Sequence, residues 1–146
     1  MELECASDPS AQSHGHSATR SKPRILVVDD DDEVRRGLRC ILIMEGYEVA
    51  TAANGREGVE SFHTCPCDLA LIDMNMPLQN GWGTIAALRA LQRELPVIFI
   101  TARPDQRTLA RECSVDLMEK PLDLPALLQR IAALVGSPKV KTAPAA

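Results

Sequence analysis

Four short apolar segments in this chain each lead into a polar residue, aspartate after two of them, threonine after one and lysine after one, and helical patterns lie between them. Ile25-Leu26-Val27-Val28 leads into Asp29-Asp30, Leu69-Ala70-Leu71-Ile72 into Asp73, Val97-Ile98-Phe99-Ile100 into Thr101, and the segment around Leu117 and Met118 into Lys120-Pro121. Runs that are apolar nearly throughout read as strands covered on both faces, which is the pattern of a parallel sheet. Ligands of such sheets bind at the carboxyl ends of the strands. Three carboxylates, a hydroxyl and an ammonium are therefore expected on one rim, a set suited to a divalent cation and a phosphoryl group.

At 146 residues, 45% hydrophobic and 25% charged, the chain can build one domain with a substantial core but not two ordinary ones. Its formal net charge of -4 and scattered basic residues argue against a nucleic-acid-binding surface, which needs clustered Lys and Arg. No apolar run approaches the roughly 20 residues that span a bilayer, and the N-terminus lacks a secretory pattern, so a cytoplasmic protein without membrane partners is expected.

Residues 1–22 have no periodicity and are rich in small and polar types, as are residues 137–146; both read as disordered tails around one domain at 23–136. His14 and His16 fall in the first tail, and His63 is given no role. The five cysteines read as reduced thiols. Cys40 and Cys113 occupy places where small apolar residues would serve, and Cys65-Pro66-Cys67 lacks the second ligand pair of a structural zinc site.

Five strand-helix units follow Pro23. Asp31 or Asp32 is positioned to cap a first helix with Val34, Leu38, Ile41 and Leu42 inward and Gly46 as its stop. Tyr47-Glu48-Val49-Ala50-Thr51 alternates as a short strand, and Asn54-Gly55 opens a helix that ends by Pro66. After Asp73 comes a loop punctuated by Pro77 and Asn80-Gly81, then a helix with Ile85, Leu88 and Leu91 inward. Pro104 suits the first turn of a short fourth helix. Asp123 caps the last, whose stripe is Leu127, Leu128, Ile131, Leu134 and Val135. Trp82 reads as a packing residue.

Strands alternating with helices imply a doubly covered parallel sheet. If the first and third strands are neighbours, their ends lie about 4.8 Å apart, and Lys120 starts about 10 Å from Asp73, a gap a lysine can cross. Two carboxylates about 4 Å apart repel by roughly 4 kcal/mol at an effective dielectric near 20, so three need compensation. A hard cation such as Mg²⁺, with Lys120, would supply it.

Taken together, Val27-Val28-Asp29-Asp30, Leu71-Ile72-Asp73-Met74-Asn75-Met76-Pro77 with Gly81, Ile100-Thr101-Ala102 and Lys120-Pro121-Leu122 resemble the receiver domain of bacterial two-component response regulators, the family of the chemotaxis regulator. The resemblance covers about residues 23–136. It implies a flavodoxin-like (βα)5 fold with strand order 2-1-3-4-5, an order carried over from the family. It also implies that Asp73 is the phosphoacceptor, taking a phosphoryl group from a sensor histidine kinase or histidine phosphotransfer protein. Asp29, Asp30, Asp73 and the backbone carbonyl of Asn75 would hold Mg²⁺, and Thr101 and Lys120 would contact the phosphoryl oxygens. Ala102 would leave that group accessible, and the Lys120-Pro121 bond would be cis. Signalling would pass to a protein target through the fourth helix, fifth strand and fifth helix. Asn75 and Arg103 occupy positions that tune hydrolysis in the family.

Two features depart from the family. Leu117 stands where an aromatic switch residue is usual, and the segment from Thr101 to Lys120 is a few residues short, with Glu112-Cys113-Ser114 in place of a small turn. With no effector domain after residue 136, the chain reads as a stand-alone receiver that is a switch rather than an enzyme. Two other functions compete: an adaptor that is never phosphorylated, and a small Asp-dependent phosphohydrolase. The latter usually carries extra substrate-binding elements, which this sequence does not match.

Overall fold

The computed structural model describes residues 22–73, 81–102, 111–112 and 115–136. Five parallel strands form one sheet in the order β2-β1-β3-β4-β5. They are β1 (Arg24–Val28), β2 (Glu48–Ala52), β3 (Leu69–Asp73), β4 (Val97–Thr101) and β5 (Asp116–Glu119). The helices with described bounds are α1 (Asp32–Met44), α2 (Gly55–Thr64), α3 (Gly81–Leu91) and α4 (Leu124–Val135). The short helix expected after Pro104 falls mostly on residues outside that description, so α4 is the helix read as the fifth. The expected loop after Asp73, including Asn75, and both expected tails apart from Lys22 also lie outside it.

Side-chain alternation along the strands divides the core in two. Leu26, Val28, Ala70, Ile72, Val97 and Phe99 pack with Phe62 of α2 and with Ile85 and Leu88 of α3. Ile25, Val27, Leu69, Leu71, Ile98 and Ile100 face the other way and meet Leu38 and Leu42 of α1 and Leu127 and Ile131 of α4. Every residue of β3 and β4 is buried, which is why these strands read as unbroken apolar runs.

The helix ends follow from local chemistry. Asp31 caps α1 by accepting from the backbone N–H groups of Glu33 and Val34. At the start of α2, Asn54 Oδ1 accepts from Glu57 N, and Glu57 Oε1 accepts from the N–H of Ala53, one residue before the cap. Asp123 caps α4 through Ala126 N, with Pro125 in the first turn. Gly46, at φ 100°, makes the left-handed turn out of α1 that a side chain would resist. At Gly58 an added Cβ would lie 3.0 Å from Val28 Cγ2, so this glycine lets α2 approach β1 closely.

Five residues depart from the expectations above. Leu91 is 42% exposed and Leu134 37%, and each sits in the last turn of its helix. Leu95, in the turn after α3, fills the core position instead. Tyr47 precedes β2 rather than opening it; its ring is buried and its hydroxyl donates to the carbonyl of Gly136 at 3.0 Å. Cys40 is an exposed thiol on α1 rather than a packing residue, and Cys65 is disulfide-bonded rather than reduced. Cys67 is free and buried. Among the described residues, no helix is long and apolar enough to cross a membrane.

Candidate functional site

Strand register positions the site. Val28 pairs with Ile72, so Asp29 and Asp73 leave neighbouring strands side by side. Asp73 pairs with Ile100, and Thr101 with Glu119, so Thr101 and then Lys120 emerge at successive steps along the same rim. Hydrogen bonds extend the sheet past its formal ends: Asp29 N donates to Ala52 O at 3.1 Å, and Lys120 N donates to Thr101 O at 2.8 Å.

One carboxylate oxygen from each of Asp29, Asp30 and Asp73 lies within 4.8 Å of the other two. Asp29 and Asp73 are buried at 2% and 3% exposure, whereas Asp30 is exposed. Oxygens on opposite sides of an octahedral Mg²⁺ with bonds of about 2.1 Å are about 4.2 Å apart, so a small contraction would seat the ion. Hard, anionic oxygen donors are also the type this ion prefers. Asn75, expected to add a backbone carbonyl, lies outside the described residues.

Lys120 reaches into the cluster from two strands away, with Nζ 3.4 Å from Asp73 Oδ1. Its peptide bond to Pro121 is cis. Thr101 is fully buried at the end of β4, and Ala102 after it is exposed. Leu117 on β5 is half-buried against the layer that includes Trp82 and Phe99, whose rings meet edge to face at 4.4 Å.

Burial raises the carboxyl of Asp29 from 3.8 to about 6, and the charges of Asp73 and Asp30 push it the same way. The Asp31 N–H, which donates to Asp29 Oδ1 at 2.9 Å, and the Lys120 ammonium pull it down without cancelling the rise. The pocket thus has a deficit of positive charge that a cation would relieve.

Sequence reasoning missed Arg35. From the first turns of α1 its Nη1 donates to the backbone carbonyl of Asp29 at 2.7 Å, while Nη2 pairs with Asp32. The Asp32–Arg35 spacing is visible in the sequence as an ordinary helix-surface pair. The bond to the end of β1 is not.

Residues 25–132 match the response regulator receiver domain family, and the chain belongs to it. It is the receiver domain of a response regulator in two-component signalling. The transcriptional regulatory protein PrrA of Mycobacterium bovis is 38% identical over 118 residues, 79% of this chain and 51% of that protein. The transcriptional regulatory protein PcoR of Escherichia coli is 34% identical over 115 residues, 77% of this chain and 51% of that protein. The chain thus spans about half the length of these relatives. Among solved structures, the chemotaxis protein CheY4 of Vibrio cholerae is 26% identical with a TM-score of 0.73, over 78% of this chain and 99% of that one. The response regulator TrrA of Thermotoga maritima, solved in complex with Mg²⁺-BeF, is 31% identical with a TM-score of 0.71, over 77% of this chain and 99% of that one.

Proposed function

We propose that Asp73 accepts a phosphoryl group from a phosphohistidine on a sensor kinase or histidine phosphotransfer protein, and that the domain formed by residues 23–136 then presents an altered protein-binding surface. The observation that carries this reading is the buried Asp73 carboxylate, with Lys120 Nζ at 3.4 Å and two further acidic oxygens within 4.8 Å. A carboxylate oxygen of Asp73 attacks phosphorus, the P–N bond breaks, and the departing imidazole nitrogen takes up a proton.

Asp29, Asp30 and Asp73, with the carbonyl of Asn75, would hold Mg²⁺, which supplies charge neutralisation when bound. The resemblance to TrrA, solved with Mg²⁺-BeF, supports that assignment. Lys120 offsets the negative charge that grows on the phosphoryl oxygens, and the Thr101 hydroxyl donates to one of them. Ala102 keeps the approach open.

The acyl phosphate brings about two negative charges to a place that held one. Thr101 and Lys120 shift to meet it and draw on the β4 and β5 ends, so the output surface is β5, α4 and the segment between Ala102 and Val115. Inverting a 1:99 equilibrium takes about 5.5 kcal/mol of differential interaction, within reach of a few charge-assisted bonds. The receiver acts as a switch in the cytoplasm, and its turnover is limited to its own phosphorylation and dephosphorylation.

Incubation with acetyl phosphate and Mg²⁺, followed by intact mass measurement, tests this. One phosphoryl adduct that is lost in Asp73→Asn is expected. No adduct on the wild-type chain would point to a non-phosphorylated adaptor, and hydrolysis of many phosphate esters to a phosphohydrolase; either outcome overturns the proposal.

A further inference from the structure

Arg35 occupies an unusual place for a helix-surface arginine. Its side chain is only 17% exposed, and its two terminal nitrogens go to different acceptors: the carbonyl of Asp29 at the end of β1, and the carboxylate of Asp32 at the start of α1. The guanidinium therefore spans the turn that contains Asp30 and Asp31.

The Asp29 carbonyl belongs to the peptide unit joining Asp29 to Asp30. That unit is planar, so holding its oxygen also sets the direction in which the Asp30 backbone continues. Asp29 has other restraints, since Oδ1 accepts from Asp31 N and its own N–H donates to Ala52 O. Asp30 is exposed, and among the described residues no hydrogen bond or ion pair fixes its carboxylate. Its place beside Asp29 and Asp73 thus depends on the backbone that Arg35 holds.

We infer that Arg35 is a positioning residue for the cation site, acting through the Asp29–Asp30 peptide to set Asp30 at the distance Mg²⁺ requires. This rests on the cation-binding role proposed above. Its positive charge is matched by Asp32, so its influence is geometric. Mg²⁺ demands near-ideal octahedral geometry and Ca²⁺ tolerates a loose one, so loss of this restraint selectively weakens Mg²⁺.

The test is calorimetric titration of the whole chain with MgCl₂ and with CaCl₂. Arg35→Met is expected to raise the Mg²⁺ Kd about tenfold or more, the usual effect of removing a group that orients a ligand, with a smaller change for Ca²⁺. Arg35→Lys keeps the charge but not the planar fork and is expected to follow Arg35→Met. In an Asp30→Asn background, Arg35→Met should add no more than about a twofold change, because the residue through which it acts is gone. A purely electrostatic role predicts the opposite sign, since removing a cation and uncovering Asp32 would tighten Mg²⁺.

Equal or tighter Mg²⁺ binding by Arg35→Met, an equal loss for both cations, or the full loss repeated in the Asp30→Asn background would each overturn the inference. Should Arg35→Met fail to fold, Arg35→Lys serves for the same comparisons. Nitrogen relaxation of the Asp30 amide in metal-free protein separates the two claims. A wild-type chain that ignores Mg²⁺ refutes the cation site, while an Asp30 amide no more mobile in the variant than in the wild type refutes the positioning role.

Discussion

Lys120, just past the end of β5, and Asp73, at the end of β3, start on either side of β4 and meet at 3.4 Å, with the carboxylate almost wholly buried and the lysine side chain about one-third exposed. The ammonium end is therefore close enough to share charge with Asp73 and open enough to move toward a larger anion. The stem spans the gap, and the hydrogen bond from Lys120 N to Thr101 O anchors its base.

Replacing Lys120 with Met should leave the fold intact and slow phosphoryl uptake from acetyl phosphate by on the order of 100-fold, the scale of losing one preorganised donor to a developing anion. Stopped-time mass measurement reads the rate directly. The same substitution removes a charge that lowers the Asp29 carboxyl, so carbon NMR of Asp29 should find its titration above about 6.

In the metal-free protein Asp29 titrates near 6, against 3.8 when unperturbed. A carboxyl raised in the folded state favours folding, relative to higher pH, while it is protonated; that contribution is complete below 3.8 and is lost as pH rises through about 6. The loss amounts to about 3 kcal/mol. Asp29→Asn should thus stabilise the metal-free chain by up to about that amount at pH 7.5 and hardly at all at pH 3.5. Urea unfolding at the two pH values would expose a gain with the opposite trend.

Cation binding should relieve the same deficit. At 100 times Kd, Mg²⁺ is expected to stabilise the wild type by about 2.7 kcal/mol, to do little for Asp30→Asn, and to be reversed by a chelator. Because the ion displaces a proton from Asp29 in acid, affinity should fall below about pH 6. Thermal melts with and without Mg²⁺ at pH 5 and pH 7.5 would reveal it.

Two helical glycines should respond in opposite ways. An added Cβ at Gly37 meets nothing within 4 Å, so Gly37→Ala should gain about 1 kcal/mol from helix propensity. At Gly58 the methyl would press on the stiff Val28 side chain at 3.0 Å, and Gly58→Ala should gain nothing or lose about 1 kcal/mol. Denaturant midpoints of the two variants give the comparison.

Tryptophan emission offers a view of the transition. Trp82 is the only tryptophan in the chain and packs edge to face on Phe99, two residues before Thr101 in β4. Movement of Thr101 toward a phosphoryl mimic such as beryllofluoride with Mg²⁺ should alter that emission. An unchanged spectrum at saturation would mean that the end of β4 shifts without its core residue.

The sheet was legible because β1, β3 and β4 are buried on both faces and carry uninterrupted apolar runs. The site followed, because Asp29, Asp73, Thr101 and Lys120 stand at or just beyond the strand ends. Periodicity identifies the inward faces of α3 and α4 but not how well their last turns are covered, so it cannot show that Leu91 and Leu134 are exposed. Tyr47 imitated the first residue of a strand because alternation alone cannot distinguish a ladder residue from a ring anchoring the end of another helix. Arg35 was invisible for a different reason: its partner, the Asp29 carbonyl, is backbone, and no side-chain pattern announces it.

The stepwise register of β1, β3, β4 and β5 also sets what kinds of change the domain can absorb. A strand presents alternate residues to opposite layers, so one extra residue inside β3 would turn Ile72 into the wrong core and carry the Asp73 carboxylate away from its neighbours. Loops at the opposite end of the sheet can lengthen without touching that rim. Length variation is therefore tolerable there and ruinous within the strands, and a single inserted codon in β3 would silence this protein more surely than many substitutions on its surface.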